Sequence, residues 1–483
     1  MTRKFAMFAC GLMACSALTT PAFAQDTQED AAAAKDDNVI IVTATRRAQD
    51  VQDIPLAVTA IAPQQLEAQR VVNIQQIAAL APSFTASQAQ LASGSVVLRV
   101  RGIGTTSNNI GFESAVGIFI DGAYQARPGV ALSEFVDVER VEVLRGPQGT
   151  LFGKNASAGV LNIVSKAPTA ETHGYIDQSY YSGNESRTRF GIGGSLVPDV
   201  LKGSISTLFG SYDGNVDNQH NGQEVNGYNH KGIRGKLEFT PNDDVTLTLI
   251  ADYMQSHDDG PNGVVSKSLT PAFASALSPV RADSDNRNVL SDYRSHVEDV
   301  NKGLSGQLDW QLGDYTLTSI TAWRGWDNTQ YQDGDRLGTV TAAFPGTADK
   351  GQLEFNQYSQ ELRLASPQQE TLRWLLGAHY FHEDLDSSAQ RIITPGPTPN
   401  GTGSNQIGAT DFRDLAFDHA TDSYALFGNL TYDFTNDFTV TGGLRYTKES
   451  KDYTFVRLNY NGTPSVFLGA LNGLTATYAG DKV

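Results

Sequence analysis

After residue 170 the chain breaks into segments in which apolar and polar residues alternate. Phe438, Val440, Gly442, Leu444 and Tyr446 share one side, and Thr439, Thr441, Gly443, Arg445 and Thr447 the other. Tyr424, Leu426, Gly428, Leu430, Tyr432 and Phe434 alternate with mainly small or polar residues. Leu372, Trp374, Leu376, Ala378 and Tyr380 do so against a mixed face carrying Arg373 and His379, and Val245, Leu247, Leu249, Ala251 and Tyr253 form another set. A period of two is that of a strand. The apolar faces tend to end in aromatics, as strands facing lipid require: an apolar band, aromatic girdles at the interfaces and a more polar lumen side. A soluble sandwich also gives period two, but does not explain where the aromatics fall.

The connections sort in the same sense. Short turns at 198–199, 240–243, 313–314, 367–370 and 435–437 alternate with long polar stretches at 215–228, 258–301, 327–352 and 384–421; only the connection near 182–186 departs from this by being short. Short turns on one side and long loops on the other mark an outer-membrane barrel. Alternation and turn signals give about eleven strands between residues 175 and 449, with a candidate twelfth and a loop beyond Lys451.

Upstream the pattern differs. Residues 63–80 have helical spacing, with Leu66, Ile74, Ile77 and Leu80 as the apolar positions. Short strands follow at 96–101, 117–122, 138–144 and 160–164, closed by Gly-rich turns. Residues 39–168 therefore read as a small mixed α/β domain. Ahead of it stands a compact β-branched run, Val39-Ile40-Ile41-Val42-Thr43-Ala44, on a polar, Ala-rich lead at 25–38 that reads as flexible. The first 24 residues read as a secretory signal: Arg3 and Lys4, an apolar core at 5–18, and Pro21-Ala22-Phe23-Ala24 ending in a small-x-small cleavage pattern. A lipoprotein reading, with Leu12-Met13-Ala14-Cys15 as lipobox, has Met where a small residue is expected. The apolar core is too short to span a membrane as a helix.

Composition adjusts this picture in three ways. Charged residues are 18% of the 483 and aromatics 9%, which suits a β-rich chain and not a disordered one. The formal net charge of −17 argues against nucleic acid as the main partner. Both cysteines, Cys10 and Cys15, lie inside the signal, so the mature chain has no disulfide framework or cysteine metal site. With no long apolar helix downstream, any membrane span has to be a β-barrel.

The Gly-rich turns carry a resemblance. Residues 138–166, with Arg145-Gly146-Pro147-Gln148-Gly149-Thr150-Leu151-Phe152-Gly153-Lys154-Asn155 at their centre, resemble the plug signature of TonB-dependent receptors almost throughout. Arg101-Gly102-Ile103-Gly104 and Ile118-Phe119-Ile120-Asp121-Gly122 resemble two further plug motifs, and residues 442–447 resemble a barrel strand of the family. The resemblance implies a mixed α/β plug (45–170) inside an antiparallel membrane barrel (171–483) in the outer membrane of a Gram-negative cell, with plug and TonB box facing the periplasm. It implies a receptor that imports a scarce ligand, powered by TonB with ExbB and ExbD. By family base rates the ligand is a ferric siderophore or other iron complex; cobalamin, oligosaccharide, haem and aromatic compounds stay open. No residue names the ligand, and no resident cofactor is implied.

Val39 to Ala44 resemble the TonB box. A short β-branched strand on a tether can add to a partner's sheet edge, where backbone hydrogen bonds carry a pull; an ordinary plug edge strand is the plainer reading. The plug glycines Gly102, Gly104, Gly146 and Gly149 are expected to allow positive φ or close backbone approach, and Gly122 and Gly153 belong to the same structural motifs. Arg101 and Arg145 are expected to pair with carboxylates while packed inside the barrel. Asp121 and Asn155 complete the structural motif set.

Other signals fail. Residues 149–155 approach a phosphate loop but have Asn155 where Ser or Thr is needed. Gly102-Ile103-Gly104 lacks the third Gly of a dinucleotide turn, and Asp283-Ser284-Asp285-Asn286-Arg287 has Arg at a ligand position of an EF-hand. Asn155-Ala156-Ser157 is a glycosylation sequon by spelling only. His379, His382, Glu383, Asp384 and Asp386 suggest a chelate contact, against the blander reading of a solvated acidic loop base. No nucleophile, base and orienter group marks an enzyme, and no metal site is assigned. A passive porin or adhesin would need neither plug nor TonB box. A transducing receptor would need a folded domain where 25–38 stands. Family barrels have about 22 strands and usually end on an aromatic residue. The chain ends in Val483 after about half that number, so a truncated barrel is expected.

Overall fold

The structure, a computed structural model, describes residues 40–480 except 72, 89–95, 106–111, 130–136, 260–262, 269, 342, 395–410, 436 and 461–475. The expected signal, the lead at 25–38 and Val39 lie outside the described residues.

The plug is a five-stranded mixed sheet in the order Val58–Ile61, Val138–Arg145, Gly159–Ser165, Val116–Ile120, Ala123–Gln125. Gly159–Ser165 runs parallel to Val116–Ile120 and antiparallel to Val138–Arg145. In a second sheet Val96–Val100 is central and pairs with Phe84–Gln88 on one side and Ile103–Gly104 on the other. Between the sheets lies an apolar core of Ile61, Leu66, Ile74, Ile77, Phe84, Leu98, Val100, Ile118, Val141, Val143 and Leu161.

The helix expected over 63–80 is two pieces, an α-helix at Pro63–Ala68 and a 3-10 helix at Ile74–Ala79. Arg70, at φ +53, leaves the right-handed region and breaks the run. The Asn73 side chain then caps the second piece by accepting from Gln76 N at 3.1 Å. Apolar spacing survives the break because both pieces bury the same side, with Leu66, Ile74 and Ile77 buried.

The wall is one antiparallel sheet of twelve strands among the described residues. Eleven run from His173–Tyr181 to Phe438–Tyr460, and Ala476–Gly480 pairs with the eleventh. Alternation sorts the faces as expected: Leu426, Leu430, Leu444 and Tyr446 are exposed, Leu444 at 80%, whereas Ala425 and Phe427 are buried on the plug side.

The long polar stretches are not all loops. Leu372–Thr394 and Asp411–Thr435 have 23 and 25 residues, where about 9–11 suffice to cross a bilayer. Much of 384–421 is therefore paired strand. Outside lipid both faces are wet, so alternation vanishes while the backbone ladder continues. Two loops also fold onto each other. Val216–Asn218 pairs with Gln223–Val225 and with Asn288–Val289, beside an apolar cluster of Leu277, Val280, Leu290 and Leu337.

Candidate functional site

The N-terminal segment is a docked hairpin. Ile41–Val42 pairs antiparallel with Gln49–Asp50, and Arg46, at φ +61, turns the chain by donating from its N to Thr43 O at 2.9 Å. The β-branched run splits by parity: Ile41 is 44% exposed, while Val42 and Ala44 are at 0%. Those two join a cluster shared by plug and wall with Phe119, Tyr124, Phe152, Val160, Trp326, Phe355 and Phe381. An exposed strand on a flexible lead was expected for residues 39–44; in this structure Val42 and Ala44 are buried.

The reason lies in Glu142, fully buried in the signature strand. A carboxylate there is costly unless donors surround it. Thr43 N donates to its Oε1 at 3.0 Å, Arg140 Nε donates to the same oxygen at 2.7 Å, and Asn162 Nδ2 donates to Oε2 at 3.1 Å. Asn162 Nδ2 also donates to Thr43 Oγ1 at 3.0 Å. Thr43 is thus one of the groups that satisfies the buried acid.

Two arginines fasten the turn to the wall. Arg46 lies 3.4 Å from Glu361 and sits over the rings of Phe119 and Phe152 at 4.5 and 4.3 Å. Burial pushes its guanidinium down to about 10, partly offset by Glu361. Arg47 donates from Nη1 to Ser366 O at 2.8 Å and from Nη2 to Trp374 O, closing on the turn between two wall strands. Cavities of about 830 and 530 Å³ flank the hairpin; Arg47 and Gln368 line both.

The plug-motif residues fall at contact points with the wall and at tight turns. Asp121 (φ +47) and Gly122 (φ +79) form a turn whose carboxylate accepts from Ser165 N at 2.8 Å and pairs with Arg234 and Lys236 of the wall. Burial pushes Asp121 up, but those two cations more than offset it and hold it below the usual carboxylate range. Gly153 (φ +80) leaves room for Arg445: a Cβ there would lie 2.7 Å from its Nη2. Asn155 (φ +62) donates to the Tyr124 hydroxyl at 2.7 Å. Gly146 takes φ +88, and Gly149 opens the short helix Gly149–Phe152.

Arg101 and Arg145 behave differently from the expectation. Arg101 (φ +52) is exposed in its turn beside Gly102 (φ +78), with Gly104 packed against Leu98 O. Arg145 donates to Ala57 O, at 3.0 Å from N and 3.4 Å from Nε. Among the described residues neither forms an ion pair. A main-chain carbonyl serves Arg145 where a carboxylate was expected.

Two ionic clasps were not legible in the sequence. Arg127 of the plug reaches Glu383 at 2.9 Å, and Glu383 also accepts from Thr421 Oγ1 at 3.2 Å and lies 3.4 Å from His419. Glu383 is fully buried, so the solvated-base reading is corrected at that residue, whereas Asp384 and Asp386 are exposed. His382, between Asp384 at 2.9 Å and Asp422 at 3.0 Å, lies on the outer side with Asp384 and Asp386. Glu113 meets Lys154 at 2.7 Å and Lys451 at 2.9 Å, and both lysines also reach Glu449. Burial raises Glu113, but the two lysines outweigh that and hold it at about 2. Among the described residues no group of three or more His, Cys, Asp or Glu could hold a metal ion.

Comparison with known proteins agrees with this architecture. The family described as TonB-dependent Receptor Plug Domain matches residues 50–160, and that described as TonB dependent receptor-like, beta-barrel matches residues 232–480. The pesticin receptor of Yersinia pestis is 23% identical over 94% of this chain and 61% of its own length. The iron-regulated outer membrane virulence protein of Vibrio cholerae is 27% identical over 60% of this chain and 42% of its own length. The chain thus spans about half the length of the curated relatives it matches. The crystal structure of the ferric yersiniabactin uptake receptor FyuA from Yersinia pestis superposes with a TM-score of 0.72 at 18% identity, over 89% of this chain and 60% of that one. The chain belongs to the TonB-dependent outer-membrane receptors, a family of transport receptors with a plug domain in a β-barrel.

Proposed function

We propose that the protein imports a ferric chelate of the siderophore class across the outer membrane, and that residues 39–44 are the segment on which TonB, with ExbB and ExbD, pulls. The observation that carries the reading is the fastening of the hairpin. Two backbone pairings hold it, together with polar contacts from Thr43, Arg46 and Arg47, and no interior sheet of the plug depends on it. It can leave while the five-stranded plug sheet stays whole. Once free, Ile40 to Thr43 offer a β-branched strand to a partner's sheet edge.

Iron is supported by the relatives: an iron-regulated outer-membrane protein and a ferric yersiniabactin uptake receptor are among them. The plug motif residues Asp121, Gly122, Gly153 and Asn155 then act as the seat of the plug, and the ion pairs position it. Uptake of radiolabelled iron, presented as a panel of ferric siderophores to cells expressing the full-length protein, tests the reading. Deleting residues 39–43 is expected to abolish uptake; unchanged uptake would sink the TonB role. Uptake of cobalamin or an oligosaccharide in place of every iron complex would overturn the ligand class alone.

A further inference from the structure

Parts of three outer connections, 213–227, 259–295 and 334–345, fold into one cap. Val216–Asn218 of the first pairs antiparallel with Gln223–Val225 and parallel with Asn288–Val289 of the second. Leu337 and Phe344 of the third pack with Leu277, Val280, Leu290 and Phe273 of the second, and the rings of Phe273 and Phe344 lie 5.6 Å apart.

Beneath the apolar contacts the same three connections are tied by polar side chains. Asn218 comes from the first, Ser291 and Ser295 from the second, and Asp333 from the end of the strand Tyr315–Asp333 that leads into the third; all four are buried. Asn218 Nδ2 donates to Ser291 O at 2.8 Å, and Ser291 N donates to Asn218 Oδ1 at 3.2 Å. Asp333 N donates to Ser295 Oγ at 2.9 Å. Asp333 Oδ1 accepts from Asp335 N at 3.1 Å and from Arg336 N at 2.7 Å, while its Oδ2 meets Ser291 Oγ.

That last contact locates a proton. A serine hydroxyl has one hydrogen to donate, and carbonyls and carboxylates only accept. Ser291 Oγ has two such oxygens in reach, Tyr293 O at 2.8 Å and Asp333 Oδ2. Both contacts are hydrogen bonds only when Asp333 carries a proton on Oδ2. The acid then donates to Ser291 Oγ, and Ser291 donates to Tyr293 O. Oδ1, which faces two backbone N–H groups, is the carbonyl oxygen of that acid. Once Asp333 ionises, one of the two contacts has no hydrogen, in a buried site where an unmade hydrogen bond is costly.

The surrounding charges act in the same sense. Burial pushes Asp333 up to about 6, with Asp335 and Asp292 adding to it and the hydrogen bonds from Ser291 and Arg336 N opposing. Among the described residues no cation offsets this: Arg336 turns its guanidinium to Gly263 O at 3.2 Å, and His220 of the first connection faces Asp292.

We propose that Asp333 is a proton-operated latch of the outer cap: protonated, it closes the relay through Ser291 and holds the three connections as one body; ionised, it breaks the relay and lets them part. A carboxyl raised above its ordinary 3.8 favours the closed cap fully below that value, and the contribution is lost as pH rises through about 6. The cap is therefore tight in acid and looser near neutrality. The inference concerns the outer connections alone and is independent of the transported ligand.

The test is thiol labelling of the full-length receptor in outer membranes. Val289→Cys, at a position 4% exposed and paired with Asn218, reports opening; Glu224→Cys, exposed on the same cap, gives the reference rate at each pH. From pH 5 to 7.5 the ratio of the two rates is expected to rise about tenfold, the change in open population that a shift from 3.8 to about 6 produces. Asp333→Asn puts an amide N–H toward Ser291 Oγ and a carbonyl toward the two backbone donors, so it imitates the protonated acid, and the ratio should stay low at both pH values. His220→Gln should keep the rise. A wild-type ratio that does not change with pH would overturn the proposal. So would a rise that survives Asp333→Asn, a ratio that is high at both pH values in Asp333→Asn, or a rise that is lost in His220→Gln.

Discussion

The hairpin Ile41–Asp50 and the strand pair Val138–Arg145 with Gly159–Ser165 touch at Glu142 and are built in opposite ways. The strand pair has a ladder of seven partners, parallel pairing beyond it, and an apolar core with Val141, Val143 and Leu161 near zero exposure. The hairpin has two partners, one face exposed, and side-chain contacts that each contribute on the order of 1 kcal/mol. Removing the first would dissolve the plug. Removing the second costs polar contacts that water can replace and the burial of two small apolar side chains, Val42 and Ala44. Local opening follows low contact density, so the hairpin is expected to open before the plug sheet.

The largest expected effect breaks the fixed member of the pair. Leu161→Ala should cost the plug about 2–5 kcal/mol through the cavity it leaves, read as a lower thermal midpoint of the full-length receptor in detergent. A loss no larger than that of an exposed-wall control such as Leu444→Ala would contradict the assignment of Leu161 to the core. Next comes Gly153→Ala, which forces a side chain into positive φ and displaces Arg445. It should cost about 1–3 kcal/mol, with plug and wall separating more readily under limited proteolysis.

Acid gives a smaller, reversible test of the fixed region. Glu113 is held at about 2, below its ordinary 4.5. A depressed carboxylate stabilises fully above its ordinary value, so its contribution is complete above about 4.5 and is lost as pH falls through about 2. Thermal midpoints between pH 5 and 2 should fall more steeply for the wild type than for Glu113→Gln; parallel curves would sink the assignment. Thr43→Ala should have the smallest effect on global stability, about 1 kcal/mol or less, and loosen only the hairpin.

The wall was legible where lipid and plug impose different chemistry on alternate residues, as in Tyr424 to Phe434. It was illegible where water bathes both faces: the paired residues of 384–394 and 411–421 read as loop. The positive-φ turns at Gly102 and Gly146 were visible as glycines in fixed company, and Asp121-Gly122 and Gly153 as motif residues whose φ the sequence did not give. The helix break at Arg70 was not, because apolar spacing ran through it. The site was half visible. The run Val39 to Ala44 stood out as β-branched on a polar lead, but its docking depends on Glu142, 99 residues on, and Arg46 meets Glu361 across 315. Glu383 and Arg127, 256 residues apart, were hidden for the same reason: long-range ion pairs leave no local period.

Thiol labelling at neighbouring positions of the hairpin tests the central claim most directly. In outer membranes holding the full-length receptor, Ile41→Cys should react rapidly with a water-soluble maleimide and Val42→Cys slowly, matching 44% and 0% exposure. Adding Thr43→Ala or Arg46→Ala should speed Val42→Cys toward the Ile41→Cys rate, and so should supplying TonB with a proton gradient and a transported iron chelate. Equal rates at rest, or a Val42→Cys rate that none of these changes moves, would contradict a docked, releasable hairpin.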